Sequence, residues 1–338
     1  MPANVFVTGA SGFVGGAVLR HLVAAGRAVT ALVRSDRAAA AVERAGARAA
    51  RGDVLEPDGL RDAMRDAEIV FHVAGIVAPC ARDPSPMLRT NVIGTANVLE
   101  AAAAAGVRRL VHTSSTAAIG EPPGTVADED TEHRGWFVSD YERSKFAAEV
   151  LAFARGRQLG LEVVCVNPTS VQGPGRADGT GRLLLRAARR PPRVAVDTTF
   201  SIVDVDDCAA GHVLAAERGE PGSRYVLSGA TLTVREALAI VDEVVGRRPR
   251  RVVMLPPGGV VAGSSLIGTL ARLARRDPPL CRAAALGLAH GRRFDGSRAT
   301  RELGLYYRPA AETIARTIAW FRDSGTLDGD RRPAVDPG

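Results

Sequence analysis

Tyr141-Glu142-Arg143-Ser144-Lys145 places a phenol and an ammonium four residues apart where a helix is expected to begin. Residues at that spacing share one face of a helix, so both groups can point at the same ligand. A free tyrosine titrates near ~10. A neighbouring cation favours the phenolate and brings the group towards working pH, as a general acid or base requires. Lysine is also a compact donor, suited to hydroxyl groups in a way that arginine's planar fork is not. Lys145 is the one lysine among 44 basic residues, all the others being arginine. The plain alternative is a surface pair on a helix, which the residues upstream make the weaker choice.

Those residues start with a hydroxyl group. Leu110 to Thr113 reads as a strand that opens into Ser114-Ser115-Thr116-Ala117-Ala118-Ile119-Gly120. Ser115 is expected to orient an oxygen of the reacting molecule, with Ser114 the alternative. Turn formation or capping is the other use of either hydroxyl.

Near the N-terminus, Val5-Phe6-Val7 runs into Thr8-Gly9-Ala10-Ser11-Gly12-Phe13-Val14-Gly15 and then into an apolar helical stretch. A strand that turns this sharply into a helix needs Gly9. Gly12 lets a diphosphate approach the backbone, and Gly15 lets helix and strand pack closely. The free N–H groups and partial positive charge of the helix N-terminus suit an anion. Three glycines alone are weak evidence, but their place between a first strand and a first helix is the context that marks a dinucleotide site. The second strand ends Val33-Arg34-Ser35, where an acid would grip the ribose of NAD and an arginine suits the 2′-phosphate of NADP. Arg34, with Arg37 close by, therefore points to NADP. Asp36 keeps NAD open.

The elements that must position these groups follow from periodicity. Strands are expected at 4–8, 28–33, 69–73, 110–113 and 162–167, and helices at 12–25, 58–65, 86–105 and 141–159. Such alternation implies βαβ units, hence an α/β fold with a doubly wound parallel sheet (Rossmann). Beyond Pro168 the pattern turns mostly helical (235–245, 266–276, 310–322), as a smaller C-terminal substrate lobe would be. The expected division is 1–171 for dinucleotide binding and 172–325 mainly for substrate. Part of 200–228 is expected to return to the first domain, and 326–338 to form a flexible tail.

Composition limits the alternatives. The 338 residues are 46% hydrophobic and 24% charged, as in ordinary globular proteins. Cys80, Cys165, Cys208 and Cys281 show neither CxxC nor metal-ligand spacing, so neither a disulfide scaffold nor a bound metal is expected. The net charge of +7 is scattered rather than striped, which argues against a nucleic-acid partner. The apolar N-terminal run has no basic leader and is broken by glycines, unlike a signal peptide. The uncharged run from Val252 to Ala271 contains Pro256-Pro257 and four glycines. It reads as a buried or surface-lying lid, with no stable membrane insertion expected. A cytoplasmic location is expected.

Together these motifs resemble the extended short-chain dehydrogenase/reductase superfamily, over about residues 3–325. The branch that fits best is the one holding dihydroflavonol reductases, 3β-hydroxysteroid dehydrogenases and hopanoid-associated epimerase-like proteins. Further likeness lies in Phe71-His72-Val73-Ala74-Gly75, Thr90-Asn91-Val92-Ile93-Gly94-Thr95, Asn167-Pro168-Thr169-Ser170-Val171-Gln172-Gly173-Pro174-Gly175 and Val205-Asp206-Asp207-Cys208-Ala209-Ala210-Gly211-His212. The resemblance implies that Asp53 and Val54 contact the adenine, that Val73, Ala74 and Gly75 line the cofactor, and that Thr113 joins them. It implies that Asn91 holds the central helix and that Pro168 to Val171 flank the nicotinamide. Asp53 as a loop cap and Asp207 as a helix cap are the plainer alternatives.

Two departures from the superfamily narrow the activity. Phe200 stands where sugar-nucleotide epimerases carry an arginine for the diphosphate. Ser115-Thr116-Ala117 replaces the Thr-Asp-Glu of nucleotide-sugar dehydratases. The expected activity is hydride transfer between NADP(H) and a ketone, aldehyde or secondary alcohol of a fairly apolar small molecule, catalysed by Ser115, Tyr141 and Lys145. An epimerase with tightly bound NAD(P) and a non-catalytic NADP-sensing protein are the alternatives. A homodimer through 86–105 and 141–159 and a monomer both stay open.

Overall fold

The structure, a computed structural model, describes residues 4–249, 251–263 and 281–327. The chain begins with β1 (Val5–Thr8), α1 (Phe13–Ala24), β2 (Val29–Val33), α2 (Asp36–Arg44), β3 (Arg48–Arg51), α3 (Leu60–Ala63) and β4 (Ile69–His72). Then α4 (Ser85–Leu88) runs through a π-helical turn, Arg89–Ile93, into α5 (Gly94–Ala104). After β5 (Arg109–Thr113) and β6 (Val126–Ala127) come α6 (Asp140–Leu159), β7 (Glu162–Pro168), β8 (Ser170–Gln172) and α7 (Gly181–Arg189). The remainder holds β9 (Val194–Val196), β10 (Thr199–Asp204), α8 (Val205–Arg218), β11 (Arg224–Leu227), β12 (Ala230–Thr233), α9 (Val234–Val244) and β13 (Val253–Leu255). α10 (Arg282–His290), β14 (Arg293–Phe294) and α11 (Ala310–Asp323) close it.

Seven strands form one parallel sheet in the order β3-β2-β1-β4-β5-β7-β11. Alternate residues of each strand enter two cores. Val5, Val7, Phe71, Val111 and Val164 pack with α1 and α8, whereas Phe6, Val70, Leu110 and Val163 face α5 and α6. Strand order reverses between β1 and β4. The crevice at such a switch point, outside the carboxyl ends of the strands, is where this architecture binds ligands.

A third core joins α7, α9, α11 and β10 through Leu184, Leu185, Val241, Ile314, Ile318 and Phe321. Phe200, partly buried, packs against it. Among the described residues the C-terminal region is mostly helical, with three small sheets: β12-β10-β8, β13-β9 and β14-β6.

Several expectations need correction. Residues 86–105 are not one regular helix, because the π turn interrupts them. The helix expected at 58–65 is a single turn. α2 and β3 were not expected from the sequence at all. β3 reads Arg-Ala-Ala-Arg and lies at the sheet edge, so it lacks the apolar run of a buried strand. Asp204, not Asp207, caps α8, because β10 continues through it and its carboxylate accepts from the Asp206 N–H. Asp207 instead accepts from the Arg308 main chain and guanidinium. The tail does not fray at Thr326, which is buried and accepts with Leu327 from Arg189. Cys80 and Cys281 form a disulfide across 201 residues of sequence, because the loop after β4 meets the N-cap of α10 in space. The helix expected at 266–276 and most of the expected tail lie outside the described residues. Among the described residues, no helix is long and apolar enough to cross a membrane.

Candidate active site

β1 delivers Thr8 to the switch point, opposite His72 of β4. The Thr8 hydroxyl is hydrogen-bonded to His72 Nδ1 at 2.8 Å and accepts from the Ala74 N–H at 3.2 Å. This fixes the strand end beneath the glycine turn. Gly9 adopts φ +72°, and a Cβ there would lie 2.6 Å from Ala74 N. A Cβ on Gly15 would come within 2.1 Å of the Gly9 carbonyl. Gly12, the N-cap of α1, has no side chain to spend on the first-turn N–H groups, so those of Phe13, Val14 and Gly15 can face an anion. Ser11 stands exposed at the lip, and Val73 and Ala74 border the turn. The chain therefore holds a cradle shaped for a diphosphate.

The other end of the crevice holds Arg34, Asp53 and Val54. The Arg34 guanidinium is half exposed and lies 3.5 Å from the Asp53 carboxylate, which also accepts from the Leu55 N–H. Val54 is buried against Gly94, and its carbonyl accepts from Asn97. Asp36 is turned to Arg51. Ser35 caps α2, so the residue after Arg34 serves the fold.

At the carboxyl end of β5, the fold brings Ser115, Tyr141 and Lys145 together. Ser139 caps α6, which starts the helix one turn before the lysine. The Ser115 hydroxyl acts on the Tyr141 phenol and lowers its affinity for a proton. Ser115 Oγ also accepts from the Ala117 N–H at 3.2 Å and so caps the short turn that follows. Ser114 is 3% exposed, and its hydroxyl has no partner in the protein. Lys145, 5% exposed, donates to the Thr113 carbonyl at 2.9 Å. A Cβ on Gly75 would lie 3.4 Å from its ammonium, so glycine keeps that approach open.

The electrostatics differ from the simple expectation of a phenol acidified by its lysine. Burial raises the Tyr141 phenol, and the Ser115 hydrogen bond and the charges of Arg292 and Arg176 lower it part of the way. Burial also brings Lys145 down to about 8 against the pull of the Glu149 carboxylate. Beneath the lysine, burial lowers His72 to about 3 and His112 well below its usual value, keeping both neutral.

Asn91, at the centre of the π turn, explains that irregularity. Its amide accepts from Ile76 N, donates to Ile76 O and donates to Ser144 Oγ, at 2.8, 3.0 and 2.9 Å. It thereby ties the loop after β4 to α6. Pro168 ends β7, its carbonyl accepting from Thr116, and Val171 sits in β8 beside Val203. Thr113 Oγ1 pairs with His212 at 2.9 Å.

Several residues at this site carry no local motif. Arg176 stacks 5.8 Å above the Phe13 ring of the glycine turn, and Arg292 arrives from the residue just before β14. Glu142, next to Tyr141, binds Arg134, Arg292 and the Val138 N–H inside the protein. Only Glu149 had a legible signal, the four-residue spacing from Lys145.

A parallel sheet with a glycine-turn cradle, and a partly buried tyrosine one turn before a buried lysine at its switch point, defines a dinucleotide-dependent enzyme of Rossmann type. Comparison with known proteins narrows this. Residues 5–228 match the model of the NAD dependent epimerase/dehydratase family, and the chain belongs to that family, within the extended short-chain dehydrogenase/reductase superfamily. It is therefore an NAD(P)-dependent oxidoreductase or epimerase. It is 34% identical over 337 residues to "Sterol demethylase protein B" of Methylococcus capsulatus, covering 96% of this chain and all of that one. It is 33% identical to a "Putative dihydroflavonol 4-reductase" of Synechocystis sp., covering 95% of each. Among solved structures it resembles "MoeE5 in complex with UDP-glucose and NAD" at 28% identity and a TM-score of 0.73, covering 95% and 99% of the two chains.

Proposed function

We propose that this enzyme transfers a hydride between NADP(H) and the carbonyl, or secondary alcohol, of a fairly apolar substrate. The observation that carries the proposal is the buried Lys145, one turn after Tyr141 on α6, bonded to the Thr113 carbonyl at the end of β5 beside Gly75, where the chain runs into Ser115. Bound there, the nicotinamide ring supplies the hydride chemistry.

The chain's own groups do the rest. Thr8, Gly9, Ser11, Gly12, Phe13, Val14 and Gly15 hold the diphosphate, and Val73, Ala74 and Gly75 form the floor. Asp53 and Val54 meet the adenine, and Arg34 meets the 2′-phosphate. Thr113, Pro168 and Val171 border the nicotinamide. Ser115 donates to the substrate oxygen as negative charge builds there. Tyr141, kept protonated at neutral pH by burial, delivers the proton. Lys145 holds a ribose hydroxyl and stabilises the phenolate left behind.

Support for an apolar substrate comes from Phe200, a partly buried apolar side chain at the edge of the third core where a diphosphate-binding arginine would stand, and from a relative named for sterol chemistry. The second possibility, an epimerase that keeps its cofactor, is favoured by the UDP-glucose and NAD of the MoeE5 complex. Absorbance at 340 nm, followed with NADPH against apolar ketones, aldehydes and steroids, separates the two. Consumption supports hydride transfer. A nucleotide that co-purifies, with no consumption across the panel, supports the epimerase.

Ile93 and Val150 stand 50% and 52% exposed on the helices expected to pair in a homodimer, and their burial against a second copy is part of the proposal.

A further inference from the structure

Tyr141, Lys145 and Glu149 are spaced i, i+4, i+8 on α6 and therefore line one face. The third of them is 4% exposed. A carboxylate at that depth requires partners, and it has two. Its Oε2 accepts from Asn167 Nδ2 at 2.6 Å, and its Oε1 accepts from the Arg224 guanidinium at 3.0 Å. The same Asn167 amide also donates to the Ser115 carbonyl at 3.1 Å. One turn earlier, Lys145 donates to the Thr113 carbonyl. The catalytic helix thus grips the end of β5 at two points on either side of Ser114. Resting on the hydride transfer proposed above, we propose that Glu149 is a positioning residue of this site, a buried carboxylate that braces Ser115 through Asn167 and supplies the anion opposite Lys145.

The other groups near Lys145 do not compete for that role. His72 on β4 and His112 on β5 are held neutral by burial. Cys165 on β7 stays a thiol, because burial raises it well above its usual value. Tyr141, on the same helix, is likewise raised and protonated. Arg224 on β11 is the opposing cation and is bonded to the Glu149 carboxylate. Glu149 draws the lysine's affinity for its proton up while burial draws it down. Removing the carboxylate leaves burial unopposed, so the ammonium must lose its proton at lower pH. Removing Arg224 leaves the carboxylate less neutralised and must act in the opposite sense.

The single lysine makes this measurable without substrate or cofactor. Untagged protein labelled with [ε-15N]lysine gives one side-chain resonance, and its shift against pH reports Lys145 alone. The wild type is expected to titrate at about 8. Glu149→Gln is expected about one unit lower, and Glu149→Asp nearer the wild type, because it keeps the charge. Arg224→Met moves the midpoint up, and it serves as the test if Glu149→Gln does not fold. Asn167→Leu leaves the midpoint within about 0.3 unit but lowers turnover several-fold, since it cuts the brace on Ser115 and spares the charge. A Glu149→Gln midpoint equal to that of the wild type, or an Arg224→Met midpoint that does not rise, overturns the proposal. Neither result touches the hydride-transfer function, which falls only if Tyr141→Phe keeps its turnover.

Discussion

Glu142, the residue after Tyr141, is hydrogen-bonded inside the protein to Arg292, which lies 150 residues further along the chain. Arg134 binds the same carboxylate from the other side, and His290 approaches Glu121 at 3.3 Å next to it. The segment between α10 and β14 is thereby fastened to the first turn of α6. Arg292 also faces Tyr141 with its charge, so one side chain links the position of that segment to the affinity of the phenol for its proton.

Replacing Glu142 with Leu takes the nearer carboxylate from the Arg134 guanidinium, 3% exposed, which keeps only Glu121, and leaves the Val138 N–H without its acceptor. Breaking a buried pair in this way destabilises by roughly 3–5 kcal/mol. Urea unfolding should show that loss for Glu142→Leu and a smaller one for Arg292→Leu, which leaves Glu142 on Arg134. An unchanged midpoint for Glu142→Leu would mean that the cluster contributes nothing.

Gly15→Ala puts a methyl 2.1 Å from the Gly9 carbonyl, where only backbone can yield. Nucleotide affinity, followed by NADPH fluorescence, is expected to fall at least about tenfold, with about 1–3 kcal/mol of overpacking strain. Gly16→Ala is the comparison. Its Cβ comes only to 3.3 Å of the Ala10 carbonyl, so it should lose less.

Arg34→Ala removes the cation nearest the expected 2′-phosphate. The KM for NADPH should rise about tenfold while that for NADH barely moves. Because the Arg34 side chain is 51% exposed, stability should stay within about 0.5 kcal/mol. Equal changes for the two cofactors would assign Arg34 to the Asp53 ion pair alone.

The Cys80–Cys281 bridge predicts two thiols that react only after unfolding, Cys165 and Cys208, both buried. Cys80→Ser should cost about 2–4 kcal/mol under non-reducing conditions. Disulfides are rare in the cytosol, so the bridge bears directly on the cytoplasmic location expected from the sequence. Alkylation and intact mass of protein taken from cells would show two modified cysteines before denaturation if the bridge is absent there, and none if it is present.

The parts of the site legible in the sequence are those built from neighbours in the chain. The glycine turn lies between one strand and one helix, and Tyr141 and Lys145 are set by one helical turn. Their spacing survives folding because secondary structure fixes it. What escaped notice is assembled from a distance. Arg292, Arg134 and Glu142 meet only when the segment before β14 docks, and Cys80 finds Cys281 across 201 residues. Asp204 and Asp207 are both able to cap, and only the course of β10 chooses between them. The π turn at Asn91 follows from the bonds its amide makes to Ile76 and Ser144, which periodicity cannot register.

The decisive comparison is Tyr141→Phe against the wild type, with NADPH and the best carbonyl substrate from the panel. Loss of the proton donor should lower kcat by about 10²–10⁴-fold. NADPH affinity should stay within about twofold, since the cradle at Gly9 to Gly15 is untouched. A variant that turns over as fast as the wild type while binding NADPH equally well would contradict the assignment of Tyr141 as the proton donor.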